Sequence, residues 1–254
     1  MCRLAAYLGK EITLRQFLHE PEHNLINQSW APREMQEGTL NADGFGLTWL
    51  SKKNIACTYK NVLPVWSDTN LEGLSHSLSS RLWLANVRSA TPGQGVNEAN
   101  TQPFVKDNLI FTHNGCFKPF TKNIKTSLLD LMASDIQAEI NGDSDSLYLF
   151  ALLLQYLNDG NSVCESIQVL TQELKKVCSD TINCLLNLII YDGKCIYACR
   201  HAINKPCPSL YYLFNDKGVY VASEPLTPED DWITIDEHCL LLLNETELLE
   251  KHSL

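Results

Sequence analysis

The sequence has no apolar run approaching the roughly 20 residues that a membrane-spanning helix needs, and its longest basic runs are pairs such as Lys52-Lys53 and Lys175-Lys176. The first absence argues against a membrane partner. The second, with a net charge of −10 and a pI near 5.1, argues against nucleic acid or an anionic lipid surface. Among the ten cysteines there is no C-x2-C pair, and Cys195 and Cys199 with His201 match no standard zinc ligand set. No metal and no cofactor is expected on that spacing, and the thiols read as small buried hydrophobes in a reducing compartment. The first residues lack the apolar core and cleavage site of a secretory signal, so the cytoplasm is the expected location. No repeat, low-complexity tract or linker divides the chain, and residues 1–254 are expected to form a single domain.

A hydrophobic content of 44% with 20% charged residues is that of a globular protein with its own core. Residues 2–8 read as a first strand and 13–18 as a short capped helix, with a mostly loop segment to Gly38. Gly44 and Gly46 enter an apolar strand, which suggests either a backbone bend with something packed against it or a simple hairpin turn. Residues 54–60 read as a strand, 71–78 as a helix, and 81–88 as a strand that delivers Arg88 to the loop 89–93. Residues 100–104 read as a polar loop, 108–112 as a short strand and His113-Asn114-Gly115 as a turn. Helical periodicity covers 125–140, 144–159 and 162–178. Short strands follow at 182–191, 194–199, 210–214, 219–222, 232–235 and 239–243. Strands, then helices, then strands without regular alternation predict an α+β fold.

The residue with the most distinctive chemistry is Cys2. If Met1 is removed, Cys2 carries a thiol and a free α-amine, two groups with reference pKa values of about 8.5 and about 7.7 to 8.0. That places a base beside a nucleophile on one residue. Arg88 at a strand end suits a bidentate grip on a carboxylate, although such arginines are also often solvated. The Asn114 amide and the Gly115 N–H give two donors that could meet one oxyanion. Asn-Gly is equally a frequent hairpin turn. Asp145, behind Ser144, sits in a helical first turn where capping alone would account for it.

In order along the chain, Cys2, Asp43-Gly44-Phe45-Gly46, Arg88-Ser89-Ala90-Thr91, Asn100-Thr101-Gln102-Pro103-Phe104, His113-Asn114-Gly115 and Ser144-Asp145-Ser146 resemble the class II glutamine amidotransferase domain of the N-terminal-nucleophile hydrolases. Phe17-Leu18-His19-Glu20-Pro21-Glu22-His23-Asn24-Leu25, Gln28 to Arg33, Ala222 to Leu226 and Trp232 extend the likeness to the γ-glutamyl hercynylcysteine S-oxide hydrolases of ergothioneine biosynthesis. The resemblance implies a four-layer αββα sandwich with the nucleophile on the first strand and no attached synthase domain. It implies that Cys2 attacks a γ-glutamyl carbonyl and that its α-amine shuttles the proton. Asn114 and Gly115 would receive the oxyanion, Arg88 the α-carboxylate and Asp145 the α-ammonium. Thr91 and His113 complete the substrate-binding set. The chain departs from many class II members in having Asn86 where they have His and Leu147 where they have Glu. Three activities follow as candidates: hydrolysis of the hercynyl compound, glutaminase or glutathione-degrading activity, and binding of γ-glutamyl metabolites without turnover. The sequence leaves the oligomeric state open.

Overall fold

A computed structural model describes residues 1–35, 38–91, 93–228 and 231–254. Pro92, in the loop expected after Arg88, and residues 36 and 37 of the expected first loop lie outside that set. Sheet one contains β1 (Arg3–Thr13), β2 (Phe45–Leu50), β3 (Ala56–Asn61), β4 (Ser79–Val87), β9 (Tyr211–Phe214), β10 (Gly218–Ala222) and β11 (Ile233–Thr234), in the order β11-β9-β10-β1-β4-β2-β3. Sheet two contains β5 (Phe104–Lys106), β6 (Leu109–Lys118), β7 (Asn183–Tyr191), β8 (Ile196–Ile203), β12 (Cys239–Leu243) and β13 (Leu248–Ser253), in the order β13-β12-β8-β7-β6-β5. Among the described residues every strand pairing is antiparallel.

The layering follows from side-chain alternation. Along β1, Leu4, Ala6 and Leu8 face Ile110, Ile189, Ile196 and Leu241 of the other sheet, while Ala5 and Tyr7 join the helices α1 (Leu14–Leu18), α2 (Leu25–Trp30) and α3 (Leu71–Ser77). A strand covered on both faces has no reason to alternate apolar with polar residues, which is why 2–8 reads as a nearly continuous apolar run. On the outer face of sheet two, Phe111, Phe117, Leu186 and Leu188 pack under α4 (Lys122–Leu129), α5 (Ser134–Ala138), α6 (Asp145–Asn158) and α7 (Val163–Cys178). The fold is therefore the α+β, four-layer αββα sandwich, with helices outside two facing sheets. Among the described residues no helix is long and apolar enough to cross a membrane.

Several expectations need correction. His113-Asn114-Gly115 is not a turn but lies inside β6, where Asn114 pairs with Asn187 and Gly115 with Leu186 of β7. The long ladder with β7 overrides the local Asn-Gly preference. The tight connection sits earlier, at Asp107-Asn108, where Asp107 has a φ of 52° and Lys106 pairs with Leu109. The segment 125–140 is two helices rather than one. Within the expected first loop, Asn24 caps α2 by accepting the Asn27 N–H at 2.9 Å. Strand β13 was not expected at all.

Candidate active site

Cys2 precedes β1 and is 6% exposed. Its Sγ lies 3.8 Å from the Ser89 carbonyl oxygen, and its own carbonyl accepts from Arg3 Nε at 2.8 Å. Beside it is a cavity of about 590 Å³ lined by Met1, Gly38, Ser89, Ala90, Thr91, Gly115, Cys116 and Lys118. Three parts of the chain thus meet at the N-terminus: the segment before β2, the loop after β4, and β6. Met1 is itself buried, packed with Cys116, Leu185, Ala202 and Cys207.

The Asp43-Gly44-Phe45-Gly46 motif holds the backbone of Arg88, which precedes the cavity-lining Ser89 but does not itself line the cavity. Arg88 donates its backbone N–H to Gly44 O at 2.8 Å and accepts from Asp43 N at 3.0 Å, and Asp43 Oδ2 accepts from Ala90 N at 2.8 Å. Gly44 has a φ of 107°, and a Cβ at Gly46 would collide with the Gln102 carbonyl, so the two glycines serve a bend and a close approach. Arg88 is 3% exposed, yet Nη1 and Nη2 have no hydrogen-bond partner. A buried guanidinium in that condition carries a desolvation cost that an anionic ligand would offset.

On β6, Asn114 is fully buried. Its Nδ2 makes only a long 3.4 Å contact to Ser223 Oγ, and Oδ1 has no partner. Ser223 in turn bonds both backbone polar groups of Leu4, which ties Asn114 to the start of β1. Gly115 lines the cavity, and the Leu185 carbonyl leaves no room for a Cβ there. Asp145, 2% exposed at the start of α6, accepts from Phe117 N at 3.0 Å and from Ser146 N at 2.8 Å. It does not line the cavity but meets β6 between the lining residues Cys116 and Lys118. Among the described residues neither Arg88 nor Asp145 has an ion-pair partner.

Thr91 lines the cavity, whereas His113 does not. The His113 ring is fully buried, with Nε2 2.8 Å from the Leu185 carbonyl and Nδ1 2.8 Å from Ser146 Oγ. Burial pushes this imidazole below its ordinary value, so the ring is neutral. Its Nε2–H donates to the carbonyl, which leaves Nδ1 to accept from Ser146. Both nitrogens are occupied inside the protein, and Gln102 brackets the His113 backbone through its N–H and its carbonyl. This geometry suits a residue that positions β6.

Sequence reasoning gave no role to the network around Glu224. Arg3, fully buried, donates Nη1 to Glu224 Oε1 at 3.0 Å; His23 Nε2 lies 2.7 Å from Oε2; and the N–H groups of Arg33 and Glu34 donate at 2.8 and 3.0 Å. Burial alone would raise this carboxyl, but His23, the two N–H groups and Arg3 outweigh it and hold it at about 2. The detectable signal was Arg3 itself, a charge in an apolar strand next to Cys2, which requires a buried partner. Asn86, at the departure noted above, bridges the sheets by donating Nδ2 to Thr112 Oγ1 at 3.1 Å.

The αββα sandwich is the fold of the N-terminal-nucleophile glutamine amidotransferases, and here it sets a cysteine before its first strand, beside a cavity. The family model of class II glutamine amidotransferases matches residues 24–213, and the chain belongs to that family. It is 29% identical to the "Probable glutamine amidotransferase DUG3" of Saccharomyces cerevisiae, over 98% of this chain and 83% of that protein. It is 26% identical to the gamma-glutamyl-hercynylcysteine sulfoxide hydrolase of Mycolicibacterium smegmatis, over 98% of each chain. Among solved structures, a glutamine aminotransferase class-II domain protein from Silicibacter pomeroyi superposes with a TM-score of 0.70 at 22% identity, covering 99% of both chains. The glutamine phosphoribosylpyrophosphate amidotransferase of B. subtilis superposes at 0.64 with 15% identity, covering 100% of this chain and 49% of that one.

Proposed function

We propose that the chain hydrolyses a γ-glutamyl amide through Cys2 after loss of Met1, with γ-glutamyl hercynylcysteine S-oxide as the substrate. The observation that supports the glutamyl reading is the pair of buried, opposite charges, Arg88 and Asp145, that lack ion-pair partners among the described residues. A γ-glutamyl group presents one carboxylate and one ammonium on the same carbon. It would supply Arg88 with an anion and Asp145 with a cation.

In this reading the Cys2 α-amine takes the thiol proton, and Sγ adds to the γ-carbonyl. The oxyanion receives hydrogen bonds from Asn114 Nδ2, which has no strong partner of its own, and from the Gly115 N–H. Collapse breaks the C–N bond as the α-ammonium returns the proton to the leaving amine. Water then hydrolyses the thioester, releasing glutamate and regenerating Cys2. Thr91 and Lys118 line the same cavity and would border the leaving group.

The hercynyl leaving group is supported by three relatives at 26% identity that are gamma-glutamyl-hercynylcysteine sulfoxide hydrolases. The yeast relative at 29% supports a second reading, in which glutamine is the donor. Side-by-side kcat/KM values for γ-glutamyl hercynylcysteine S-oxide, glutathione and glutamine decide between them. A marked preference for the hercynyl compound supports the first reading; equal or better turnover of glutathione or glutamine overturns it. Intact mass and peptide mapping after 6-diazo-5-oxo-norleucine test the nucleophile separately. Loss of Met1 with one adduct on Cys2 is expected, and a processed chain that stays unlabelled would remove the catalytic assignment.

A further inference from the structure

We propose that His201, Cys207, Glu237 and His238 form a binding site for a zinc-type divalent metal ion, away from the glutamyl chemistry. Cys207 Sγ, a Glu237 carboxylate oxygen and a His238 ring nitrogen all lie within 4.8 Å of one another. His201 lies outside that group but beside it, with Nδ1 3.1 Å from Nδ1 of His238, and would supply the fourth donor by a turn of its ring.

The topology explains how residues so far apart in sequence converge. Strand β12 pairs with β8 so that Cys239 faces Arg200. One residue beyond that pair, His238 meets His201 across the end of the ladder. Arg200 then fixes the two flanking segments, donating Nε to Pro208 O at 2.7 Å and Nη1 to Ile235 O at 2.6 Å. The donors therefore hang from anchored backbone. This convergence is what the cysteine spacing concealed, because the expectation of no metal grouped His201 with Cys195 and Cys199, whereas the fold sets it beside His238.

The donor set and its scale both fit. One thiolate, two imidazoles and a carboxylate are the ligand types of four-coordinate zinc, with Zn–N near 2.0–2.1 Å and Zn–S near 2.3 Å. Tetrahedral geometry at those lengths puts neighbouring donors roughly 3.3 to 3.8 Å apart. The imidazole nitrogens, 3.1 Å apart, stand just inside that range, and the Cys207, Glu237 and His238 donors, within 4.8 Å of one another, would close on the ion largely through the exposed Glu237, which touches Arg200 at 3.6 Å. Cys207 and His201 are buried, whereas Glu237 and His238 are exposed, which leaves the site open to an incoming ion from one side. Binding would convert the Cys207 thiol to a thiolate and release its proton. Cys207 packs against Met1 and Cys116, so the ion would brace one wall of the N-terminal pocket.

The test is a Co2+ titration of the full chain after chelator treatment under reducing conditions, followed by visible absorption and by Zn2+ competition. One equivalent should give tetrahedral d–d bands with a thiolate-to-cobalt charge-transfer band, both bleached by Zn2+. Cys207→Ser should abolish the charge-transfer band. Because Cys207 is buried, the exposed His238→Ala is the second probe. It should weaken Co2+ binding by more than about 100-fold, beyond the 10–100-fold typical of groups that only support a ligand. Absence of a tetrahedral spectrum, or wild-type affinity in His238→Ala, would overturn the proposal. So would a band that survives Cys207→Ser and vanishes in Cys164→Ser, since Cys164, Glu250 and His252 form a comparable group.

Discussion

Replacing Glu224 by Gln keeps the shape of the side chain but deletes an anion on which four donors converge: Arg3 Nη1, His23 Nε2 and the N–H groups of Arg33 and Glu34. Two estimates of the cost agree. The carboxyl falls from its ordinary 4.5 to about 2, and at about 1.36 kcal/mol per pH unit that difference is worth roughly 3 kcal/mol. Removing one partner of a buried ion pair costs about 3–5 kcal/mol, because the other charge stays buried and uncompensated. Glutamine still offers one acceptor oxygen, so the lower figure, about 3 kcal/mol at pH 7, is expected. The sign in pH follows from the lowered carboxyl: the stabilisation is fully present above the unfolded value of 4.5 and is lost as pH falls toward about 2. Urea unfolding of wild type and Glu224→Gln should show the full gap from pH 7 to about pH 5.5, with roughly half of it gone by pH 3. A gap under about 0.5 kcal/mol at pH 7, or one unchanged between pH 7 and pH 3, would refute the network's role. Because Arg3 also holds the Cys2 carbonyl, kcat should fall in the folded variant as well.

Arg88→Met should raise KM by roughly 100-fold through loss of the carboxylate grip while leaving thermal stability unchanged or higher, since both terminal nitrogens of the buried guanidinium lack partners. A large loss of stability with unchanged KM would make Arg88 structural. Asn114→Ala should lower kcat about 10² to 10³-fold with little change in KM, the scale of one oxyanion donor, and unchanged single-turnover rates would remove it from that role. Gly115→Ala should destabilise the fold by at least the ~1–3 kcal/mol of ordinary overpacking, because the new Cβ meets the Leu185 carbonyl, which belongs to the backbone and cannot swing aside. An unaltered unfolding midpoint would contradict that contact.

The two sheets and their helices were legible because their periodicities are local. Strand 239–243 was read to the residue, and α6 and α7 within about one residue at each end. What failed were short elements and turns decided by distant partners. Strand β13 is mostly exposed, with leucines and charges mixed, and only pairing with β12 makes it a strand. Helix α2 rests on an asparagine cap inside a stretch that reads as loop. The turn at His113-Asn114-Gly115 was inferred from the strongest local hairpin dipeptide, yet nine paired residues of β7 hold that segment extended.

The candidate site divides along the same line. Motif order singled out Cys2, Arg88, Asn114 and Asp145 as candidates, but no sequence pattern states which charges have counterions. Arg3 and Arg88 illustrate the difference, since both are buried arginines at strand ends of sheet one. Arg3 is neutralised by Glu224, more than two hundred residues away in the chain. Arg88 is matched by nothing in the described protein, although its backbone is held at both the N–H and the carbonyl. A fold that holds the backbone of a buried cation at both polar groups, gives the neighbouring cation a carboxylate and leaves this one without a counterion among the described residues keeps an uncompensated charge on the residue just before the cavity-lining Ser89. That difference between two arginines is what turns a list of motifs into a binding hypothesis, and it exists only in three dimensions.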